Sequence, residues 1–293
     1  MRVREVSKYT FGTYRHFNSF DDLSIYKEAI DLCLNFGVNS FDTARAYGNG
    51  QSEKLLGVCL SSYPRDSYKI STKVFESAEP GCKPGLNSLN IRVSLSKSLE
   101  ALRTNYIDTF FMHRFDDLVV MDCLCETLLF LLEKKLIRNI GVSMWPIEKI
   151  GQLSSCLSSL GYPNPIYIQD MANAITPLSR EKAKFILKKQ RYIVYSYSPF
   201  ARGLLRGKFS DFEMKLASGG WVESGLEQFA ENNIAKIKDF YVQNSSNVDY
   251  AAVNWCFSSG FDGIIFGYSP RKSLVNTLEL FRSYDEKINS NNC

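Results

Sequence analysis

Four side chains set the chemistry that this sequence can reach. Asp42, Tyr47, Lys73 and His113 each fall at or just beyond the end of a β-branched or aromatic run, and together they make a proton donor for a carbonyl. A tyrosine hydroxyl, with an ordinary pKa of about 10, is a weak acid near neutrality, and an adjacent ammonium favours the phenolate and lowers that value. Lys73 can supply the charge. A lone buried ammonium is strongly disfavoured, so a carboxylate such as Asp42 is expected to hold it. His113 then donates to the substrate oxygen and stabilises the negative charge that develops there. Singly, each residue has a plainer role: Asp42 as a turn or cap, Tyr47 as a half-buried aromatic, Lys73 as a solvated strand end, His113 as a hydrogen-bonded rim residue. Their joint placement argues for a site. Lys73 also admits a different chemistry, the Schiff-base nucleophile of an aldolase-like barrel.

Composition removes several other classes. With 45% hydrophobic and 23% charged residues the chain is globular rather than disordered. Its net charge of +4 is spread without a long basic run, so no nucleic-acid arm is expected. Two histidines, His16 and His113, exclude a three-histidine metal site, and the eight cysteines contain no C-x-x-C. The closest pair, Cys123 and Cys125, stands two apart on an expected helix, where side chains point to different faces. No metal is expected. The opening MRVREVSKYTF lacks a signal-peptide core, and the apolar stretch from Leu118 to Leu132 is interrupted by Asp122 and Glu126. A cytoplasmic protein with free thiols is expected, with no membrane partner.

The elements that must position the four residues follow from an alternation along the chain. Runs at 9–14, 39–43, 68–74, 106–112, 138–143, 165–169, 192–197 and 262–267 read as strands, each followed by an amphipathic stretch of helical length. Leu23, Tyr26, Ala29, Ile30 and Leu34 make the apolar stripe of the first helix, and Ile91, Leu95, Leu99 and Leu102 that of the third. Asp21, Ser52 and Ser179 stand where helix caps are wanted, and Gly37, Gly57 and Gly161 near helix ends. Eight strand-helix units without a compositional break predict a (β/α)8 TIM barrel, with residues 1–293 as one domain and catalytic groups at the carboxyl ends of the strands. Open-sheet nucleotide folds are disfavoured. Gly48-Asn-Gly50-Gln-Ser-Glu53 lacks the third glycine of a dinucleotide fingerprint, and Gly203-Leu-Leu-Arg-Gly207-Lys208-Phe209 lacks the spacing and hydroxyl of a phosphate loop. An irregular insertion, roughly 210–225, is expected between the seventh strand and its helix.

The residues around the four also resemble a known family. Phe41-Asp42-Thr43-Ala44, Tyr47-Gly48, Gly50, Ser52-Glu53, Leu56-Gly57, Ser71-Thr72-Lys73-Val74, Asp108 with Met112-His113, and Ile140-Gly141-Val142-Ser143 resemble the signature of the aldo-keto reductases. Phe11-Gly12-Thr13 and the run from Tyr197 to Leu205 extend the resemblance over nearly the whole chain. Trp145 and the segment from Gly85 to Asp108 are most similar to the branch containing potassium-channel β subunits and bacterial relatives. The resemblance implies reduction of an aldehyde or ketone, sugar-like or aryl, to an alcohol, with Tyr47 as general acid and Asp42, Lys73 and His113 completing a tetrad. It implies NADP(H), with NAD(H) as the lesser option, bound without a Rossmann domain. Gly12, Thr13, Tyr14 and Asp42 would border the nicotinamide end, Tyr197 would stack on its ring, and Ser143 and Gln169 would meet its carboxamide. Ser198, Pro199, Phe200, Arg202, Gly203 and Lys208 would follow the pyrophosphate, and Gly267, Ser269, Arg271, Ser273 and Asn276 the adenosine end.

Departures from the pattern carry their own expectations. Met144 stands where the family usually has Asn, which removes one hydrogen bond to the carboxamide. The usual Glu-Asn pair after the last loop is replaced by Asn276-Thr277, leaving Arg271 or Lys272 as the 2′-phosphate partner. The substrate mouth is expected to use Tyr14, Phe75, Arg114, Phe115, Trp145 and the insertion around Trp221. Arg114 suits a carboxylate or phosphate on the substrate, or an ion pair with Asp116 or Asp117. The alternative to an enzyme is a nucleotide-sensing regulatory subunit with vestigial activity. The expected partner is a small carbonyl compound, and the sequence carries no signal for an oligomeric state.

Overall fold

The β-branched and aromatic runs form a closed barrel in the computed structural model, which describes residues 7–14, 17, 19–76, 83–187, 191–211, 213, 225–267 and 270–291. Among the described residues the strands are β1 (Tyr9–Gly12), β2 (Ser40–Asp42), β3 (Lys69–Val74), β4 (Ile107–Met112), β5 (Ile137–Ser143), β6 (Ile166–Met171), β7 (Tyr192–Tyr197) and β8 (Gly263–Gly267). Each pairs in parallel with the next, and β8 returns to β1. The first strand ends at Gly12, two residues short of the expected run, and β6 continues two residues further, to Met171.

Period-two alternation divides every strand between two environments. Phe11, Phe41, Ile70, Phe110, Ile140 and Ile168 are fully buried and face the helices. Those helices are α1 (Leu23–Asn35), α2 (Gln51–Leu60), α3 (Ser88–Ala101), α4 (Met121–Glu133), α5 (Ile147–Ser159) and α6 (Arg180–Ile186), followed by α7 (Leu226–Asn232), α8 (Ile234–Gln243) and α9 (Val248–Ser258) before β8 and α10 (Arg271–Asn291) after it. The stripe of α1 buries Tyr26, Ala29 and Ile30 as expected, with Cys33 in place of Leu34. No helix among the described residues is long and apolar enough to cross a membrane. Cys123 is exposed and Cys125 buried, on different faces of α4.

Some expected punctuation lies elsewhere. Ser179 does cap α6, accepting from Lys182 N, and Gly37 and Gly161 take left-handed backbone beyond α1 and α5. Asp21, in contrast, lies in a short 3₁₀ turn capped by Ser19, and Ser52 lies inside α2, donating to Phe17 O. The insertion expected at 210–225 is already helical at Phe209–Asp211; Trp221 and most of the rest fall outside the described residues.

Gly57 also sits within α2 rather than at its end, and its role is close approach. A Cβ there would lie 2.4 Å from Ala101 O and 2.8 Å from Leu102 Cα, at the end of α3. Replacing glycine by alanine inside a helix stabilises by about 1 kcal/mol from propensity alone. Overpacking against backbone that cannot rotate away opposes it by about 3 kcal/mol. The clash is larger, so Gly57→Ala is expected to lower unfolding free energy by about 2 kcal/mol in a denaturant titration.

Candidate active site at the strand ends

The carboxyl ends of β2, β3 and β4 bring Asp42, Lys73 and His113 to one rim, and the turn after β2 adds Tyr47. Period two puts Asp42 and Lys73 inside the barrel with Ser40 and Ser71. The Lys73 ammonium has three hydrogens and three acceptors: Asp42 Oδ1, Thr43 O at 2.9 Å and Tyr47 Oη at 3.1 Å. Asp42 Oδ2 accepts from Ser71 Oγ at 2.8 Å and Gln169 Nε2 at 2.7 Å. This buried pair is satisfied on both sides, the condition under which a desolvated ion pair persists. Burial pushes Lys73 down, but Asp42 and Tyr47 outweigh it and its pKa lies above the ordinary value. A lysine held charged by three acceptors is not a nucleophile, which removes the Schiff-base reading.

Tyr47 is held by a 3₁₀ turn, Tyr47–Gly50, in which Gly48, Asn49 and Gly50 all have positive φ. Gly50 is required twice: its φ is +85°, and a Cβ would meet Arg45 Nη1 at 2.4 Å. Arg45 is itself fixed by Glu53, at 3.1 Å, and the fully buried Glu53 also accepts from Thr72 Oγ1 at 2.7 Å. The motif residues Gly50, Glu53 and Thr72 therefore brace the turn that carries Tyr47 and the strand that carries Lys73. Burial raises the Tyr47 pKa, with Lys73 pulling it back. The sequence argument expects a net lowering; desolvation is the larger effect, and Tyr47 keeps its proton at neutrality.

The remaining residues surround this pair. The His113 ring lies 5.7 Å from that of Tyr47 and nearly perpendicular to it. Tyr14, largely exposed, flanks Tyr47 at 4.9 Å. Gly12 is in register with Asp42 and with Gly267, and Thr13 donates to Asp42 O through its amide and its hydroxyl. Ser143 ends β5 in register with Gln169. Tyr197 ends β7, half-buried, with its pKa pushed up to about 12 by burial and then by Asp170 and Tyr47. Beyond it Pro199 and Phe200 are buried, Ser198, Ala201 and Arg202 are left-handed, and Arg202, Gly203 and Lys208 are exposed. Met144 has φ of +58°, and its Sδ accepts from Met171 N.

The residues expected around the mouth and at the adenosine end take varied places. Trp145 is fully buried edge-on to Phe115, so it backs the mouth instead of lining it. Phe75 is half-buried, with its carbonyl committed to Gly85 N and Asn90 Nδ2, and Arg114 is exposed beside His113. Arg271 pairs with Glu28 on α1; Ser273 and the exposed Asn276 follow it on α10, and Ser269 lies outside the described residues. Arg206 is the cation that sequence reasoning passes over. It donates to Thr277 Oγ1 at 2.7 Å and covers the Phe200 ring, joining the β7 loop to α10.

Burial, then the charges of Lys73 and Arg114, lower the His113 pKa from 6.5 to about 3. Its imidazole is neutral at physiological pH and keeps one N–H to donate. Between those values the unfolded chain binds a proton that the folded chain refuses, so this contribution to stability rises with pH across the window and is lost on acidification below pH 6.5. An NMR titration should show one histidine, identified by His16→Gln, silent down to pH 4 or lower.

The profile of the Aldo/keto reductase family matches residues 9–289. Among curated relatives, a "Probable voltage-gated potassium channel subunit beta" of Oryza sativa subsp. japonica is 23% identical over 288 residues, covering 94% of this chain and 87% of that protein. One of the same description from Arabidopsis thaliana is 27% identical over 209 residues, covering 70% of this chain and 64% of that protein. The match spans nearly the whole of the closed parallel barrel, and the chain belongs to the aldo/keto reductase family.

Proposed function

We propose that the protein reduces an aldehyde or ketone to an alcohol with NADPH, and the contact of Lys73 Nζ with Tyr47 Oη at 3.1 Å carries this reading. The strand-end residues suit a nicotinamide nucleotide. Tyr197 offers a half-buried ring, Ser143 a hydroxyl and Gln169 its carbonyl oxygen, and Arg202 and Gly203 stand exposed on the β7 loop. When bound, reduced nicotinamide supplies the hydride to the carbonyl carbon. Tyr47 gives its proton to the oxygen as negative charge forms there. The phenolate left behind is stabilised by the Lys73 ammonium, which Asp42 holds charged and in place. Neutral His113 donates its N–H to the same oxygen and orients the carbonyl.

Tyr14 and the exposed Arg114 stand beside Tyr47 and His113, which suits a planar or hydroxylated carbonyl compound bearing an anionic group. Tyr47→Phe removes the proton and keeps the ring. It should reduce kcat by at least about a hundredfold in an NADPH absorbance assay while leaving nucleotide affinity nearly unchanged. Equal loss of both would sink Tyr47 as the acid.

NADPH preference rests on Arg271 and Lys272 at the start of α10. Arg271 pairs with Glu28 on the exposed surface, and its guanidinium has further N–H groups for a 2′-phosphate, a dianion and the stronger partner. Arg271→Ala is expected to weaken NADPH roughly tenfold with little change for NADH in a fluorescence titration. Equal effects on the two would overturn this assignment.

A second reading, a nucleotide-sensing regulatory subunit, is favoured by the likeness to two probable potassium-channel β subunits and by Met144 in place of the usual asparagine. Tight NADPH binding with slow turnover across aryl aldehydes, α-dicarbonyls, aldoses and keto-sugars, together with a stable protein partner, would select it over the reductase.

A further inference from the structure

The outward face of β6 carries Ile166, Ile168 and Asp170 in alternation, and all three are buried. The first two pack beneath the outer ring of helices, as apolar strand residues of a barrel do. Asp170 instead puts a carboxylate there, 2% exposed, and its partner is Lys182 from the first turn of α6, at 2.5 Å. Ser179 caps that turn by accepting from Lys182 N at 3.2 Å, so the helix start and the ammonium are fixed together. Replacing a buried ion pair by apolar residues of similar volume is often neutral or stabilising. Stability alone is therefore a poor account of this pair, and what it holds is a better one.

Lys182 also donates to Trp145 O at 2.9 Å, in the loop that leaves β5. That loop departs from the strand through a left-handed residue, Met144. Two further bonds hold it to β6: Met144 N donates to Gln169 O at 3.0 Å, and Met171 N to the Met144 sulfur at 3.4 Å. Asp170 lies between those two residues of β6, so the ammonium grips both segments at one level. The Trp145 ring is fully buried edge-on to Phe115, and its indole N–H has no acceptor among the described residues. The ring is held by packing, and the carbonyl supplies the polar anchor. Around this loop stand Ser143 and Gln169, in register, and Tyr197, whose hydroxyl feels the Asp170 charge.

We propose that Lys182 and Asp170 are positioning residues for the nicotinamide half of the bound nucleotide. The ammonium fixes Trp145 O, and with it the left-handed turn at Met144, so that Ser143 and Gln169 face the carboxamide. Both residues act through the backbone they hold. Without Lys182 the turn depends on its bonds at Met144, one of them to sulfur, a weak acceptor. The inference rests on nucleotide binding at the strand ends, as proposed above, and not on turnover. The adenosine end belongs to α10, which follows β8, three strands around the barrel from β5. The two halves of the nucleotide therefore report separately on this loop.

The test is isothermal titration of the full chain with NADPH and with adenosine 2′,5′-bisphosphate, which keeps the adenosine end and lacks the nicotinamide. Lys182→Met is expected to weaken NADPH roughly tenfold and to change the bisphosphate by less than about twofold. Lys182→Arg, which keeps the charge and the donors, should restore NADPH binding to within about threefold of wild type. Gly57→Ala, destabilised away from this loop, should bind both ligands as the wild type does, which separates positioning from loss of stability. Should Lys182→Met fail to fold, the double variant Lys182→Met with Asp170→Leu leaves no stranded charge and gives the same comparison. Equal weakening of the two ligands, no weakening of NADPH, no restoration by Lys182→Arg, or the same selective loss in Gly57→Ala would each overturn the positioning role and leave the proposed cofactor in place. A wild-type chain that fails to bind NADPH or the bisphosphate would overturn it together with the proposed nucleotide site. Slow turnover with the expected pattern of binding would overturn the reductase alone.

Discussion

An ammonium and a carboxylate are held together inside the barrel with all three ammonium hydrogens and both carboxylate oxygens engaged, and much of the surrounding sequence exists to keep them so. Lys73 and Asp42 each forgo hydration that an isolated ion could not surrender. Their compensation comes from Tyr47, Thr43 O, Ser71 and Gln169, supplied by β3, β6 and the segment that follows β2. Removing either ion would strand the other, so the pair acts as one unit. It fixes the position of the Tyr47 hydroxyl, the electrostatics that His113 feels, and the polarity required of the barrel interior below it.

A second ion pair, outside the strands, supports the first. Arg45 and Glu53 occupy the space behind the Tyr47 turn, with Thr72 on the other carboxylate oxygen. Threonine at position 72 points outward while Lys73 points inward, so one strand hydrogen-bonds Glu53 on its outer face and Asp42 on its inner face. A third pair, Lys182 with Asp170, ties the first turn of α6 to β6, and Lys182 also donates to Trp145 O. The pairs behind the carboxyl end of the barrel thus fix loops that apolar packing alone would leave adjustable.

The alternation of strands and helices is legible in the sequence because parallel strands buried on both faces leave short β-branched runs, and the four site residues are legible because they end those runs. What is not legible depends on contacts between distant segments. Trp145 is buried because Phe115 lies over it; Arg271 is paired because α1 presents Glu28; Arg206 has a role because α10 presents Thr277. The polar interior at the amino-terminal end of the barrel is hidden for the same reason. Ser40, Ser71, Thr109 and Asn139 are ordinary polar residues one strand at a time, and only closure of the barrel faces them toward one space. Gly57 shows the converse, since a glycine near a helix end suggests a stop signal when its function is to let two helices touch.

Met144 illustrates how a loop can hold a residue in a backbone conformation that another residue type suits better. Its φ of +58° lies where asparagine is readily accommodated and where an unbranched apolar side chain pays roughly 1 kcal/mol or more. The conformation is imposed by its surroundings, Met144 N on Gln169 O and Met171 N on the Met144 sulfur. The backbone there already has a shape that asparagine adopts readily, so exchanging Met144 for an amide side chain calls for no rearrangement of the barrel.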